Sequence, residues 1–237
     1  MLNNLAIIPA RGGSKRIKNK NIIDFHGRPM IAYVLDNLQR SNLFDKIHVS
    51  TDSEDIKKIV EELGFTVDFL RPMNLADDST GIVPVLQWVL ERYEEEGIKF
   101  ENICCALPTA PLVKSSDFIE SYNVYIKNKR NNPLHAVSKM PVPIEWTFRM
   151  HSDGVLMPIM QEMLKKRSQD LEEAYYDAGA FSWFPISYFS SEIQNNHKFI
   201  SYVLDRHKSI DIDNLEDLEF AKKLYEISLN DEKNKQS

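Results

Sequence analysis

Residues 7–22 read IIPARGGSKRIKNKNI, from Ile7 to Ile22. The run turns from wholly apolar to strongly basic across Pro9 and Ala10. Residues 5–8 are uninterrupted by any polar side chain, the pattern of a central strand buried on both faces of a parallel sheet. Five of the ten residues from Arg11 to Lys20 are basic: Arg11, Lys15, Arg16, Lys18 and Lys20. Gly12, Gly13 and Ser14 let the backbone approach a ligand closely and turn N–H groups toward phosphate oxygens. A basic loop directly after the first strand of an α/β sheet is where anionic ligands bind, though a merely solvated basic loop has the same composition. Neither G-x-G-x-x-G nor G-x-x-x-x-G-K-[ST] is present, so two common phosphate loops do not apply.

Outside this loop the chain is acidic. Its 237 residues carry 29 basic and 35 acidic side chains, a net charge of −6. That balance argues against a general nucleic-acid binder, which needs a basic face. Hydrophobic residues at 43% and charged residues at 27% suit an ordinary globular chain of one or at most two domains. Cys104 and Cys105 are adjacent, so on a strand they face opposite ways. Neither a bridge between them nor a zinc site is expected, and a reducing, cytoplasmic setting fits. The six histidines have no metal-ligand spacing. No secretory leader and no membrane span are expected, since the apolar run at residues 5–10 is short and lacks a basic flank.

Outward from the loop, strands and helices alternate. Pro29 opens a helix with an apolar stripe through Leu38, and a strand follows at residues 47–51. Ser53 caps a second helix that Gly64 stops. A third strand is expected at residues 65–70, a helix from Val83 to Gly97, and a strand at residues 103–107. Ser115 or Ser116 is expected to cap the next helix. Such a run predicts a doubly wound, mostly parallel α/β sheet with ligand-binding loops along one edge. The pattern breaks after Ala136. Residues 140–178 read as an excursion, with a charged stretch at 161–176 that fits an arm packed on a partner subunit. Sheet pattern resumes at residues 181–184 and 202–204. The last helix begins near Asn214, and residues 230–237 form a polar tail expected to fray. Residues 1–229 read as a single domain.

The sequence of residues 7–22 resembles the N-terminal signature of sugar-activating cytidylyltransferases, the CMP-sialic acid synthetase family of nonulosonic acid enzymes. The resemblance implies a Rossmann-like nucleotidyltransferase fold, CTP as donor, Mg²⁺ and a homodimer. In that family the loop wraps the triphosphate. By matching position, Arg11 and Lys20 would contact phosphates, Ser14 would offer its backbone N–H, and Asn21 would bind the nucleotide, with Ala10, Gly12 and Gly13 in the same loop. Arg71-Pro72 followed by LADDS at residues 75–79 resembles the nucleotide-reading segment. There Arg71 would meet the base region, Asp78 would brace the loop or ribose, and Ser79 would join the nucleotide set. On physics alone, Arg71 at a strand end reads as readily as a surface ion pair.

Two further stretches concern the acceptor. Leu107-Pro108-Thr109-Ala110-Pro111 stands where sialic acid synthetases carry Q-P-T-S-P-L-R, so Leu107 and Val113 depart from that pattern. A hydrophobic side chain cannot replace the glutamine's hydrogen bonds, which disfavours sialic acid itself. RSQDLEEAYYDAG at residues 167–179 looks most like the pseudaminic acid branch. The resemblance implies that Arg167 or Lys139 holds a sugar carboxylate. Gln169, Asp170, Tyr175 and Asp177 would read hydroxyl or acylamino groups. A solvated charged helix is the plain alternative.

Asp211-Ile212-Asp213 has a direct physical reading. In an extended segment, residues i and i+2 face one side, so two carboxylates project together while Ile212 turns to the core. Mg²⁺ is commonly held by one or two carboxylates plus phosphates and water. Helix-capping acids before Asn214 are the alternative. The expected reaction is CTP plus pseudaminic acid giving the CMP-sugar and pyrophosphate, serving surface glycans or flagellin. Arg11, Lys20 and Asp213 would carry catalysis. Activation of sialic or legionaminic acid, a nucleotide sensor without turnover, and a dinucleotide-dependent dehydrogenase are the rival readings.

Overall fold

The structure is a computed structural model that describes residues 2–130, 132–190 and 198–236. The elements run β1 (Leu2–Pro9), β2 (Asp24–Phe25), β3 (Arg28–Pro29), α1 (Met30–Ser41), β4 (Lys46–Ser50), α2 (Glu54–Glu62), α3 (Ile82–Glu95), β5 (Phe100–Ala106), α4 (Ser115–Lys127), β6 (Leu134–Lys139), β7 (Phe148–Met150), β8 (Leu156–Pro158), β9 (Tyr175–Pro185), β10 (Ile200–Val203) and α5 (Leu215–Gln236).

The main sheet has the order β10-β6-β9-β5-β1-β4. β1 lies parallel to β4 and β5, and β10 parallel to β6. β9 alone among these strands runs against the rest, antiparallel to β5 and β6. The expected mostly parallel α/β sheet is therefore present, with one reversed strand fed by the excursion.

Alternation along β1 shows why helices cover both faces. Ala6 and Ile8 enter one core with Val34, Leu38, Ile56 and Val60 from α1 and α2. Leu5 and Ile7 enter another with Leu86, Val89 and Tyr93 from α3. Cys104 and Cys105 likewise separate into the two cores, both buried with free thiols. A third cluster joins Ile17, Phe25, Met30, Leu112 and Ile212 to Leu218 and Ala221 of α5. It packs the basic loop and the Asp211–Asp213 segment against the last helix.

Several local expectations hold in detail. Ser53 Oγ accepts the Ile56 N–H, and Gly64 ends the α2 region at φ 86°. Others need correction. Residues 65–70 form no ladder. At their ends, Phe65 N–H donates to Val60 O and Arg71 N–H to Thr51 O. Val67 packs into the first core and Phe69 against the second, so the segment covers the sheet's β4 edge with side chains. Ser115 and Ser116 lie inside α4 rather than capping it. The carboxylate of Asp117 reaches back to the Lys114 N–H at 2.8 Å instead. In the charged stretch at 161–176 the alternative of a solvated helix does not form; the stretch holds two short 3₁₀ turns, Gln161–Met163 and Ser168–Asp170, and the first residues of β9. The excursion also contains the β7–β8 hairpin, whose Phe148, Met150, Leu156 and Met157 are exposed. α5 continues to Gln236, through most of the stretch read as a tail, and Ser237 lies outside the described residues, as does His197. No described helix is long and apolar enough to cross a membrane.

Candidate active site

β1 and β5 end side by side, and the chain leaves each into a turn at the same sheet edge. Between these turns opens a cavity of about 480 Å³. Pro9, Leu107, Pro108 and Thr109 form its floor and one wall. The basic loop, with Arg11, Ser14, Lys15, Arg16 and Lys20, forms the second, and Asp78, Asp211 and Asp213 complete it. Ligands of parallel α/β sheets bind at this carboxyl edge.

The loop's shape has three internal causes. The buried Asn21 donates its side-chain amide to Arg11 O at 2.9 Å. Gly12 N–H donates to Asp52 Oδ1 at 2.9 Å, and a Cβ on Gly12 would stand 2.9 Å from Ser53 Cβ. Ser14 N–H donates to Gly12 O at 3.0 Å. The Ser14 N–H assigned by resemblance, and the Gly12 N–H beside it, thus have partners inside the protein, whereas Gly13 faces open space. Ala10 is buried, its N–H given to Ser50 O.

The cations of the loop already hold carboxylates. Arg11 Nη1 lies 2.7 Å from Asp78 Oδ1, and Lys15 pairs with the same carboxylate. Arg16 Nη2 donates to Asp213 Oδ1 at 2.6 Å. Lys20 Nζ reaches Ile212 O at 2.9 Å and Asp213 Oδ1 at 3.3 Å. Half-exposed pairs of this kind contribute little stability and exchange readily for stronger charge-assisted bonds to phosphate. Ile212 is fully buried, so Asp211 and Asp213 face the cavity together as the i, i+2 spacing predicts. Burial, followed by the neighbouring Asp213 charge, pushes the Asp211 carboxyl above its ordinary range, against the pull of Lys20 and Arg16.

A partly desolvated carboxylate pair at a cationic pocket has the donor chemistry for Mg²⁺. Among the described residues no group of three or more His, Cys, Asp or Glu side chains could hold a metal ion. Asp211 and Asp213 are the two carboxylates that could hold such an ion, together with phosphate and water.

Not every residue expected at the site lines this cavity. Arg71 is buried rather than a surface ion pair, with Nε donating to Ser50 Oγ at 3.0 Å and Nη2 to Ser50 O at 2.6 Å. It secures the end of β4. Ser79 gives its N–H and hydroxyl to Asp77 Oδ1 at 2.9 Å. The sugar set is dispersed. Arg167 is exposed and pairs with Asp170 at 2.9 Å, and Gln169 is exposed beside them. Lys139 pairs with Glu173, which also accepts the Tyr175 hydroxyl at 2.9 Å.

Asp177 instead lines a second, mainly apolar cavity of about 230 Å³, with Ile82, Val83, Phe184 and Tyr188. Leu107 belongs to both cavities. Gly179 adjoins Asp211, where an added Cβ would be 3.6 Å from Asp211 Cγ, and its φ of 59° would strain any side chain. His135 and Ser182 form the polar floor, cross-strand partners bonded Nδ1 to Oγ at 2.6 Å. Burial holds the His135 imidazole below its ordinary pKa. Sequence reading placed Arg16 in the basic run but gave it no role of its own at the site. It missed His135 and Ser182, which nothing local marks and which only strand register brings together.

A family model described as Cytidylyltransferase matches residues 5–235. A pseudaminic acid cytidylyltransferase of Campylobacter jejuni is 38% identical over 229 residues, covering 96% of this chain and 98% of that protein. An N-acylneuraminate cytidylyltransferase of Escherichia coli is 29% identical over 237 residues, covering 98% of this chain and 53% of that protein. The solved structure of CMP:2-keto-3-deoxy-manno-octonic acid synthetase complexed with CTP aligns with a TM-score of 0.71. That alignment covers 95% of this chain and 99% of that one at 13% identity, so it bears on the fold alone. With the match spanning the basic loop, both cavities and the carboxylate pair, the chain belongs to the cytidylyltransferase family.

Proposed function

We propose that this protein transfers the cytidylyl group of CTP to pseudaminic acid, giving CMP-pseudaminic acid and pyrophosphate. One observation carries the reading: a cationic cavity facing a carboxylate pair shares Leu107 with an adjoining apolar cavity. Such a pair of cavities suits a triphosphate on one side and an acceptor rich in acyl and methyl groups on the other. An acceptor hydroxyl placed beside Asp211 would attack the α-phosphorus, and the β,γ-phosphates would leave as pyrophosphate.

Nucleotidyl transfer asks the protein mainly for positioning and charge stabilisation. Arg11 would exchange Asp78 for α-phosphate oxygens. Lys20, with Arg16, would exchange Asp213 for the leaving phosphates, freeing the Asp213 carboxylate. A Mg²⁺ held by Asp211 and Asp213 would supply Lewis acidity toward the phosphate oxygens. Leu107 and the apolar walls would exclude water from the attacking hydroxyl.

Arg167 and Lys139 enter this reading through a homodimer. The arm around residues 140–176 exposes Phe148, Met150, Leu156 and Met157, and the apolar surface of a second copy would cover it. Arg167 would then reach the acceptor carboxylate of the partner's site. The buried free thiols suit a reducing, cytoplasmic compartment.

The test is pyrophosphate release from CTP with Mg²⁺, comparing pseudaminic, legionaminic and N-acetylneuraminic acids. Release with pseudaminic acid at the highest kcat/KM is expected. Preference for another acid would replace the acceptor assignment, and CTP binding without turnover on any acid would replace catalysis with nucleotide sensing.

A further inference from the structure

Two walls of the cationic cavity are joined behind it. One is the turn after β5, carrying Leu107, Pro108 and Thr109, which leads into α4. The other is the extended segment after β10 that carries Asp211 and Asp213. Between their supports lies an ion pair that the proposed chemistry does not use. Lys208 Nζ donates to both carboxylate oxygens of Asp117, at 2.7 and 2.9 Å. The two side chains keep only 12% and 6% of their exposure, unlike the half-exposed pairs in the cavity.

Asp117 serves both sides of the junction. It accepts the Lys114 N–H at 2.8 Å, anchoring the first turn of α4, and the Tyr202 hydroxyl of β10 at 3.3 Å. Lys208 belongs to a turn that is itself fastened, with its N–H donated to Asp205 O at 2.9 Å. The hydroxyls of Ser209 and Tyr176 meet at 2.9 Å, tying the same turn to β9. Beyond it, Ile210 and Ile212 pack into the third core. Only Ser209 and Ile210 separate Lys208 from Asp211, so an anchor at one sets where the other can stand.

A buried ion pair is weak support for stability, because desolvation offsets the attraction, but it can select one geometry among several. We propose that Lys208 and Asp117 are positioning residues for the Asp211/Asp213 carboxylates, holding that wall at a set distance from the turn after β5. Neither residue lines the cavity. The inference rests on the reading of Asp211 and Asp213 as the carboxylate pair of nucleotidyl transfer.

The double variant Lys208→Met/Asp117→Asn removes both charges together and leaves no unpaired buried charge. The asparagine replacing Asp117 retains a side-chain oxygen for the Lys114 N–H. The melting temperature of the double variant is expected near that of the unaltered protein. Amide hydrogen exchange at residues 209–213, measured without substrate, should quicken by about ten-fold. Turnover should fall about ten-fold at saturating CTP and sugar acid, with KM for CTP changed less than about two-fold. Lys208→Arg, which keeps the charge, should retain both protection and most of the turnover. Asp117→Asn alone, which leaves the charge on the longer and more exposed Lys208 side chain, is the fallback if the double variant does not fold, and the same two readouts apply to it. Unchanged protection at residues 209–213 in a folded variant overturns the proposal, whatever the activity. So does faster exchange with full turnover, which would reduce the pair to a local fastener. A parent protein inactive on every sugar acid would strike the functional reading, and the substrate-free exchange experiment would still decide the anchoring.

Discussion

The two cavities that meet at Leu107 are built on opposite principles. The larger is lined by cations paired with carboxylates: Arg11 and Lys15 with Asp78, Arg16 and Lys20 with Asp213. The smaller is lined mainly by hydrocarbon, with one part-buried polar pair, His135 and Ser182, and the carboxylate of Asp177. Half-exposed ion pairs are readily exchanged, so the first surface can re-form around phosphates. An apolar wall offers no substitute bonds, so the second discriminates by shape and by what it leaves unpaired. On the proposed function, charge would govern rate in one cavity and hydrophobic fit would govern choice in the other.

Predictions that would break this division begin with Asp213→Ala. Turnover should fall by about 10³-fold, read as kcat at saturating substrates, with a changed Mg²⁺ dependence. A near-normal kcat would remove Asp213 from the chemistry. Lys20→Met should raise KM for CTP and lower kcat together, by about 10²-fold in kcat/KM, with the acceptor KM little altered. Leu107→Gln sharpens the comparison because Leu107 lies in both cavities. It should cost about ten-fold or more in kcat/KM for pseudaminic acid while CTP affinity holds. An equal loss for CTP would mean that the cavities do not divide the work.

Two smaller effects concern stability. Burial pushes the Cys105 thiol up to about 12, so alkylation of the native protein at pH 8 should spare it. Cys105→Ser would bury a hydroxyl and should cost about 1–3 kcal/mol in denaturant unfolding. Away from both cavities, His48 is fully buried and burial holds its pKa below the ordinary 6.5. Its Nδ1 meets the Tyr93 hydroxyl at 3.0 Å. Asp68 is held well below the usual carboxylate range by the neighbouring His48, whose Nδ1 lies 3.8 Å away, and by hydrogen bonds from Tyr93 and Lys46. Both groups bind fewer protons folded than unfolded. Stability is then fully present above pH 6.5, declines below it as unfolded His48 protonates, and declines again below about pH 4 through Asp68. The His48 slope is at most about 1.4 kcal/mol per pH unit. Thermal melts between pH 7.5 and 5 check it, and His48→Gln should flatten that limb.

The contrast between the cavities also marks where sequence was legible. The basic loop, the Asp211-Ile212-Asp213 spacing and the Ser53 cap are local patterns, and each appears in the structure where the pattern places it. Residues 65–70 alternate like a strand yet form none, because Val67 and Phe69 reach two different cores around the sheet edge. Arg71, placed at the nucleotide by resemblance and readable as a surface ion pair on physics alone, is buried with its guanidinium on Ser50, a partner 21 residues away. The sugar-reading residues at 167–177 divide among an exposed ion pair, the Lys139–Glu173 contact and the second cavity.

Sequence alone determined the fold class, the anionic character of the first ligand and the pairing of two carboxylates, because strand period, helix caps and a basic run are properties of neighbours in the chain. Tertiary structure alone decided the apolar cavity, the His135–Ser182 floor and the Lys208–Asp117 tie. Each depends on the insertion of β9 between β5 and β6, or on α4 meeting the β10 turn, and so joins residues 47 and 91 positions apart. Hydrogen bonds and ion pairs act over a few ångströms, and only the folded chain brings such distant partners within that range.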